Sequence, residues 1–133
     1  GTSRDGWFSN PDNVAFDALG RLWVSTDGNA DDFNGRSDGI WALDAEGSER
    51  GVSRHFFRAP AGAEVCGPCF TPDMETLFIA VQHPGEDGKE WRAWGKDSTF
   101  HDPSTRWPDF KPGMPPRPSV LAITRRGGGK IGV

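Results

Sequence analysis

The sequence has no excess of positive charge, no long apolar run and few cysteines. Its formal net charge is −4, which argues against nucleic acid as the main partner, because phosphate binding normally leaves a basic footprint. No apolar run approaches the roughly 18 residues that a membrane span requires. No secretory signal is visible in the given sequence, which opens on Gly1-Thr2-Ser3. The residues alone therefore do not indicate a cellular compartment.

Helical periodicity is also missing. Hydrophobic residues make up only 35% of the chain, while 18 glycines and 11 prolines supply many turns. This balance is typical of short strands that are joined by long polar loops. We therefore expect an all-β fold.

A weak internal repeat indicates which all-β fold to expect. NVAFDALGRLWVSTDG, starting at Asn13, resembles GPCFTPDMETLFIAVQH, starting at Gly67, and this similarity aligns Phe16 with Phe70. Later, IWALD at 40–44 resembles VLAIT at 120–124. Repeats of this size, built from short strands, are typical of β-propeller blades. A length of 133 residues matches two to three blades, whereas a propeller needs at least about four, so we expect a fragment of a larger propeller.

The repeat divides the chain into two four-stranded antiparallel blades, a first unit over residues 12–60 and a second over residues 64–133. The last strand of the second unit is expected at 130–133. A long insertion at residues 84–118 interrupts this second unit and contains seven prolines together with Trp91, Trp94 and Trp107. Because disordered segments are poor in aromatic residues, we expect this insertion to be ordered and packed.

The two cysteines form the sequence Cys66-Gly67-Pro68-Cys69, which is the dithiol sequence of thioredoxins. Thioredoxin chemistry requires a helix that begins at the motif and lowers the thiolate pKa. Here a strand and a turn follow instead, so we expect no redox catalysis. We expect Cys69 to pack inward like Ala15, its counterpart in the repeat. A disulfide between the two cysteines stays open, whereas a zinc site would lack a second pair of ligands.

Polar residues stand just before the first strand of each unit. These are Asp12 and Asn13 in the first unit and Glu64 in the second. First strands of propeller blades line the central channel, so their side chains could meet on one hard cation such as calcium. The alternative is that they cap turns, which Asp and Asn do frequently.

A second candidate for calcium is the polar loop from Asp27 to Asp38. Asp27, Asn29 and Asp31 alternate, and Asp38 is the twelfth residue, as in part of a calcium-loop pattern. The sixth position is Asp32 instead of glycine, and strands are expected on both sides. A solvated acidic loop is the alternative.

Three segments together resemble the C-terminal part of the PhoX-type alkaline phosphatases. They are PDNVAFDALGRLWVSTDGN, GAEVCGPCFTPDMETLFIAVQHPGE and PRPSVLAIT, in that order, and they cover most of the chain. The resemblance implies a six-bladed β-propeller that is periplasmic or secreted and exported by the twin-arginine route. It also implies hydrolysis of phosphate monoesters with calcium, and with iron in some members.

By motif position, the resemblance implies that Asp12 and Glu64 are metal ligands, with Asn13 as a secondary candidate. Neither cysteine matches a catalytic position of the family, and no catalytic residue is assigned. The partners implied are a phosphate ester and the remaining blades of the same parent chain, so this segment alone would hold an incomplete site. The rival functions are a non-catalytic propeller that binds a sugar, lipid or protein, and a lactonase-like propeller hydrolase with one calcium.

Overall fold

The computed structural model describes residues 2–28, 35–86 and 88–132 and contains two antiparallel sheets. Seven strands build them: β1 (Pro11–Phe16), β2 (Leu22–Thr26), β3 (Gly39–Leu43), β4 (Ser53–Arg58), β5 (Glu64–Phe70), β6 (Thr76–Gln82) and β7 (Ser119–Thr124). Helical structure in the described ranges is limited to one 3-10 turn, Gly88–Glu90. The expected all-β fold is confirmed. No helix in the described part of the chain is long and apolar enough to cross a membrane.

The first sheet has the strand order β1-β2-β3-β4. A tight turn after Phe16 joins β1 to β2, and in it the backbone N–H of Asp17 donates to the Arg21 carbonyl at 3.0 Å. β2 is one of the two inner strands, and both of its faces are buried. Trp23 lies in the core between the sheets. On the opposite face, Trp41 of β3 packs against the N-terminal segment, where the Phe8 ring centre lies 5.4 Å away.

The second sheet has the order β5-β6-β7 and reproduces the pairing register of the first. Phe16 pairs with Leu22 in the first sheet, and Phe70 pairs with Leu77 in the second. Both first strands also carry a register shift near the same repeat position, between Pro11 and Val14 and between Cys66 and Cys69. The sequence repeat therefore corresponds to a structural repeat.

The fourth strand that the sequence predicted for the second sheet does not form within the described residues. Residues 130–132 do not form a strand, and Val133 lies outside the described residues. Gly127, Gly128 and Gly129 all have positive φ angles, between 82° and 96°, so the chain turns back instead of continuing extended beside β7. Ile131 is instead buried in the core, and its N–H donates to the Met74 carbonyl at 2.8 Å.

The hydrophobic core lies between the two sheets. Its buried members come from both sheets, from the linker between β4 and β5, and from the C-terminal turn: Trp23, Ile40, Ala59, Ala63, Val65, Leu77, Ile79, Val81 and Ile131. Phe70 packs against this core, with its ring edge-on to Trp23 at 5.0 Å. Its repeat counterpart Phe16 is 66% exposed, so the repeat predicts backbone position but not burial.

The insertion at 84–118 is ordered in its described part, as expected. Trp107 packs against the core, and Asp109 forms an ion pair with Arg117 at 2.7 Å. The N–H of Arg117 also donates to the Trp107 carbonyl at 3.0 Å. These contacts fold the insertion back on the second sheet.

Candidate metal centre

The start of β5 and the end of β6 lie side by side because the two strands are antiparallel. Glu64 pairs with Gln82, and His83 follows directly. Glu64 Oε2 lies 3.2 Å from His83 Nε2, and Glu64 Oε1 accepts a hydrogen bond from the Cys66 thiol at 2.8 Å. The Glu64 side chain is 13% exposed. A largely buried carboxylate therefore stands at the edge of the second sheet.

The structure brings acidic residues of the first sheet to the same carboxylate. Donor atoms of Asp12, Glu64 and Cys66 all lie within 4.8 Å of one another, and so do donor atoms of Asp27, Glu64 and His83. Glu64 belongs to both groups. Asp12 and Glu64, which the sequence predicted as metal ligands, thus come together, while their role as ligands stays a prediction.

Asn13, the third predicted ligand, connects the two sheets. Its Oδ1 accepts a hydrogen bond from the backbone N–H of Gly67 at 3.0 Å. Its own backbone N–H and carbonyl both bond to the buried Ser25 hydroxyl at 3.2 Å. Asn13 therefore fixes the two first strands relative to each other, which determines how close Asp12 and Glu64 lie.

The sequence pattern places Asp27 only in the separate loop, and it gives His83 and His101 no tight set of zinc ligands. Asp27 directly follows β2, as His83 follows β6, and the antiparallel pairing of first and second strands places both near the entrances of β1 and β5. The signal that could have found them is the residue just after each second strand of the repeat.

Asp38, the last residue of the predicted calcium loop, holds the ends of that loop together. Its buried carboxylate accepts hydrogen bonds from the Thr26 hydroxyl at 2.6 Å and from the Gly28 N–H at 3.0 Å. Asn29 and Asp31 lie outside the described residues. Among the described residues, Asp38 therefore has a structural role: it ties the end of the loop to its beginning.

Hydrogen bonding determines the charge states around Glu64. Burial alone would raise the pKa of Glu64, but hydrogen bonds from Cys66, His83 and Gln82 outweigh burial and lower it. Both His83 ring nitrogens face acceptors. Nε2 faces Glu64, and Nδ1 lies 3.0 Å from the Gly62 carbonyl and 2.8 Å from Glu86 Oε2. Although burial opposes protonation, these acceptors raise the pKa of His83. These hydrogen bonds therefore favour the ionised form of Glu64 and the protonated form of His83.

The surroundings of Asp27 shift its pKa in the opposite direction, upward. Burial raises the pKa of Asp27, and the nearby carboxylates of Glu64, Asp38 and Asp12 raise it further, against a smaller lowering effect of His83. Crowded carboxylates repel one another, and this repulsion disappears when a cation binds between them. The group is therefore suited to hold a divalent cation.

The two cysteines have different surroundings, and the expectation for Cys69 is wrong. Cys69 is exposed, because it pairs with the outward-facing Phe78 on the uncovered side of the second sheet. Burial, together with the hydrogen bond to Glu64, raises the pKa of the Cys66 thiol to about 12. Both cysteines lie within β5, so the helix that would activate a thioredoxin motif is not there.

The chain matches a known protein family over more than half of its length. The family described as "Alkaline phosphatase PhoX" matches residues 1–85. The chain belongs to the PhoX family. The resemblance found in the sequence motifs is thus confirmed. No curated protein sequence matches the chain.

The chain is also similar to a solved PhoX structure, that of Pseudomonas fluorescens PhoX in complex with vanadate, a transition state analogue. The TM-score is 0.73 and the sequence identity is 36%. The match covers 92% of this chain but only 19% of the solved chain. This chain therefore corresponds to a fragment of a larger PhoX-type protein.

Proposed function

We propose that this chain supplies part of the metal centre of a phosphomonoesterase, an enzyme that releases phosphate from phosphate esters. The observation that carries the proposal is the convergence of Asp12, Asp27 and Glu64 at the meeting point of the two sheets. Membership of the PhoX family supports it, and so does the vanadate bound to the similar structure, since vanadate there is a transition state analogue. The full-length protein would carry the activity.

The donor atoms fit a hard cation. Calcium prefers carboxylate oxygens, and an ionised carboxylate offers about four lone-pair positions. Glu64 uses two of its positions for Cys66 and His83, so it keeps others for a metal. Asp12, Asp27 and Glu64 would hold calcium. Both ring nitrogens of His83 are engaged, by Glu64 on one side and by Gly62 and Glu86 on the other, so His83 orients Glu64 and leaves the metal to the carboxylates. Iron, which the family resemblance adds for some members, would need ligands from the remaining blades.

A bound cation supplies positive charge that stabilises the phosphate oxygens as the ester bond breaks. The residues of this chain position that charge. His83 holds Glu64 through Nε2 and is itself held through Nδ1 by Gly62 and Glu86. Cys66 stays protonated and donates a hydrogen bond to Glu64, so it acts as a positioning group and not as a nucleophile.

Further ligands would come from the remaining blades of the same parent chain, within a β-propeller in which residues 12–60 and 64–133 are two units. The isolated segment should therefore show little or no hydrolysis. By family resemblance, we also propose that the parent is periplasmic or secreted and uses calcium, with iron as a second metal.

The test uses the full-length protein with a chromogenic phosphate monoester, with and without a chelator. Glu64→Gln and Asp12→Asn should each lower kcat/KM by roughly a hundredfold or more, because each removes a charge that offsets the cation, and bound metal measured by mass spectrometry should fall. The matched controls are Glu75→Gln and Asp73→Asn, at the far end of the second sheet, which should stay within about twofold. Wild-type metal content and activity in both site variants would contradict the proposed site.

A further inference from the structure

A pocket of about 320 Å³ lies between the end of β6 and the insertion. One side is formed by residues 83–86, directly after β6. The other side is formed by residues 98–100, 115, 116 and 118, later in the insertion. The side chains that matter for its chemistry are His83, Glu86, Phe100, Pro115, Pro116 and Pro118. The pocket is shallow and broadly open to solvent, so a small molecule could enter it.

His83 connects this pocket with the proposed metal centre. Its imidazole lines the pocket, while its Nε2 lies 3.2 Å from Glu64 Oε2. Glu86, which also lines the pocket, lies 2.8 Å from His83 Nδ1. A molecule whose phosphate lies at the carboxylate cluster would therefore have this pocket next to its remaining part.

The wall formed by the insertion is preformed. The Ser104 hydroxyl donates to the Gly85 carbonyl at 3.1 Å, and the Ser104 N–H donates to the Ser98 hydroxyl at 3.0 Å. Gly85 has a φ of +86°, and a Cβ there would lie 3.2 Å from Thr105. Such close packing fixes the insertion against the end of β6. A rigid wall binds a ligand with little loss of conformational entropy.

The chemistry of the lining indicates the type of ligand. Phe100 is 63% exposed, and together with four prolines, Pro84, Pro115, Pro116 and Pro118, it offers an apolar surface that suits a ring or an alkyl group. Among the described residues that line the pocket, none is Lys or Arg, and Glu86 adds negative charge. A second phosphate group would therefore find little to bind there.

We propose that this pocket binds the alcohol part of the phosphate ester, and that Phe100 makes the enzyme prefer aromatic or other apolar alcohols. This inference rests on the proposed function, because it assigns the leaving group of the same reaction to a place beside the metal centre. Phe100 acts as a specificity residue, since its ring would contact the substrate away from the reacting atoms.

The test compares two substrates in the full-length enzyme, phenyl phosphate and glycerol 2-phosphate. Phe100→Ala should lower kcat/KM for phenyl phosphate by about three- to tenfold, the usual effect of losing one aromatic contact, and leave glycerol 2-phosphate unchanged. The control is Phe110→Ala, which removes another exposed ring of the same insertion, 68% exposed, outside the pocket. This control should change neither substrate.

Equal losses for both substrates, or no loss for phenyl phosphate, would overturn the proposal. Calorimetry with non-hydrolysable phosphonates gives a second measurement that needs no turnover. Phe100→Ala should weaken binding of phenylphosphonate but not of methylphosphonate. If the unmodified enzyme hydrolysed neither ester, the proposed function would fail, and the phosphonate titration would still decide whether this pocket selects an apolar group.

Discussion

Asp17 is the residue whose replacement should most clearly lower the stability of the fold. Its side chain is completely buried at the β1–β2 turn. Oδ1 accepts hydrogen bonds from the backbone N–H groups of Leu19 at 2.9 Å and Arg21 at 3.0 Å. Oδ2 accepts from Arg21 Nε at 2.6 Å and Trp23 Nε1 at 2.8 Å. One carboxylate thus connects the turn, the salt bridge and the core.

Asp17→Asn keeps the size of the side chain but turns one acceptor into a donor. The amide oxygen can replace Oδ1, whereas the amide nitrogen would face the donors of Arg21 and Trp23. An unsatisfied buried donor costs about 1–3 kcal/mol, and breaking a buried ion pair costs about 3–5 kcal/mol. Arg21 keeps a hydrogen bond to the Ile131 carbonyl at 3.1 Å. We therefore expect a loss of about 3 kcal/mol in the free energy of unfolding, at the lower end of the ion-pair range.

The assay is urea unfolding of the 133-residue chain, followed by tryptophan fluorescence. With an m-value of about 1.5 kcal/mol/M, the loss corresponds to a midpoint about 2 M lower. The matched control is Asp73→Asn in the equivalent β5–β6 turn, where the exposed carboxylate accepts from Thr71 and Glu75; its midpoint should stay close to that of the unmodified chain. Equal midpoints for the two variants would refute the reasoning.

Three further predictions concern the turn, the backbone and the thiols. Burial would raise the pKa of Asp17, but the hydrogen bonds around its carboxylate lower it. The ionised carboxylate therefore stabilises the fold above the ordinary Asp pKa of about 3.9, and this stabilisation is lost as the pH falls through the pKa of Asp17 in the folded chain. The difference in urea midpoint between Asp17→Asn and the unmodified chain should accordingly shrink below pH 4. Gly62→Ala should lower the melting temperature much more than Gly20→Ala, because a Cβ at Gly62 would lie 1.9 Å from the Glu86 carbonyl oxygen, while Gly20 has open space and a similar φ; equal shifts in scanning fluorimetry would contradict this. A maleimide at pH 8 should label the exposed Cys69 well before Cys66, and an insulin-reduction assay should show no turnover; turnover that disappears in Cys66→Ser would reverse our view of the motif.

The sequence determined most of the strands and the two acidic positions. Alternating apolar residues and turn residues act locally, so the hairpin after Phe16 and its repeat after Phe70 were recognisable in short windows. The polar residues before each first strand, Asp12 and Glu64, followed from the same repeat. Their convergence could be expected because equivalent positions of repeated units lie at the same edge.

Only the tertiary structure decided which other groups join this site and which surfaces are covered. Asp27 and His83 reach Glu64 because the ends of antiparallel strands lie next to the starts of their partners, a long-range relation that no short window contains. Phe16 is exposed although the repeat aligns it with Phe70, which packs against the core. Cys69 faces outward although the repeat aligns it with the half-buried Ala15. Burial depends on what lies opposite a residue in space. In the same way, only the fold brings Ile131, after the glycine turn at 127–129, and Trp107 of the insertion to the core.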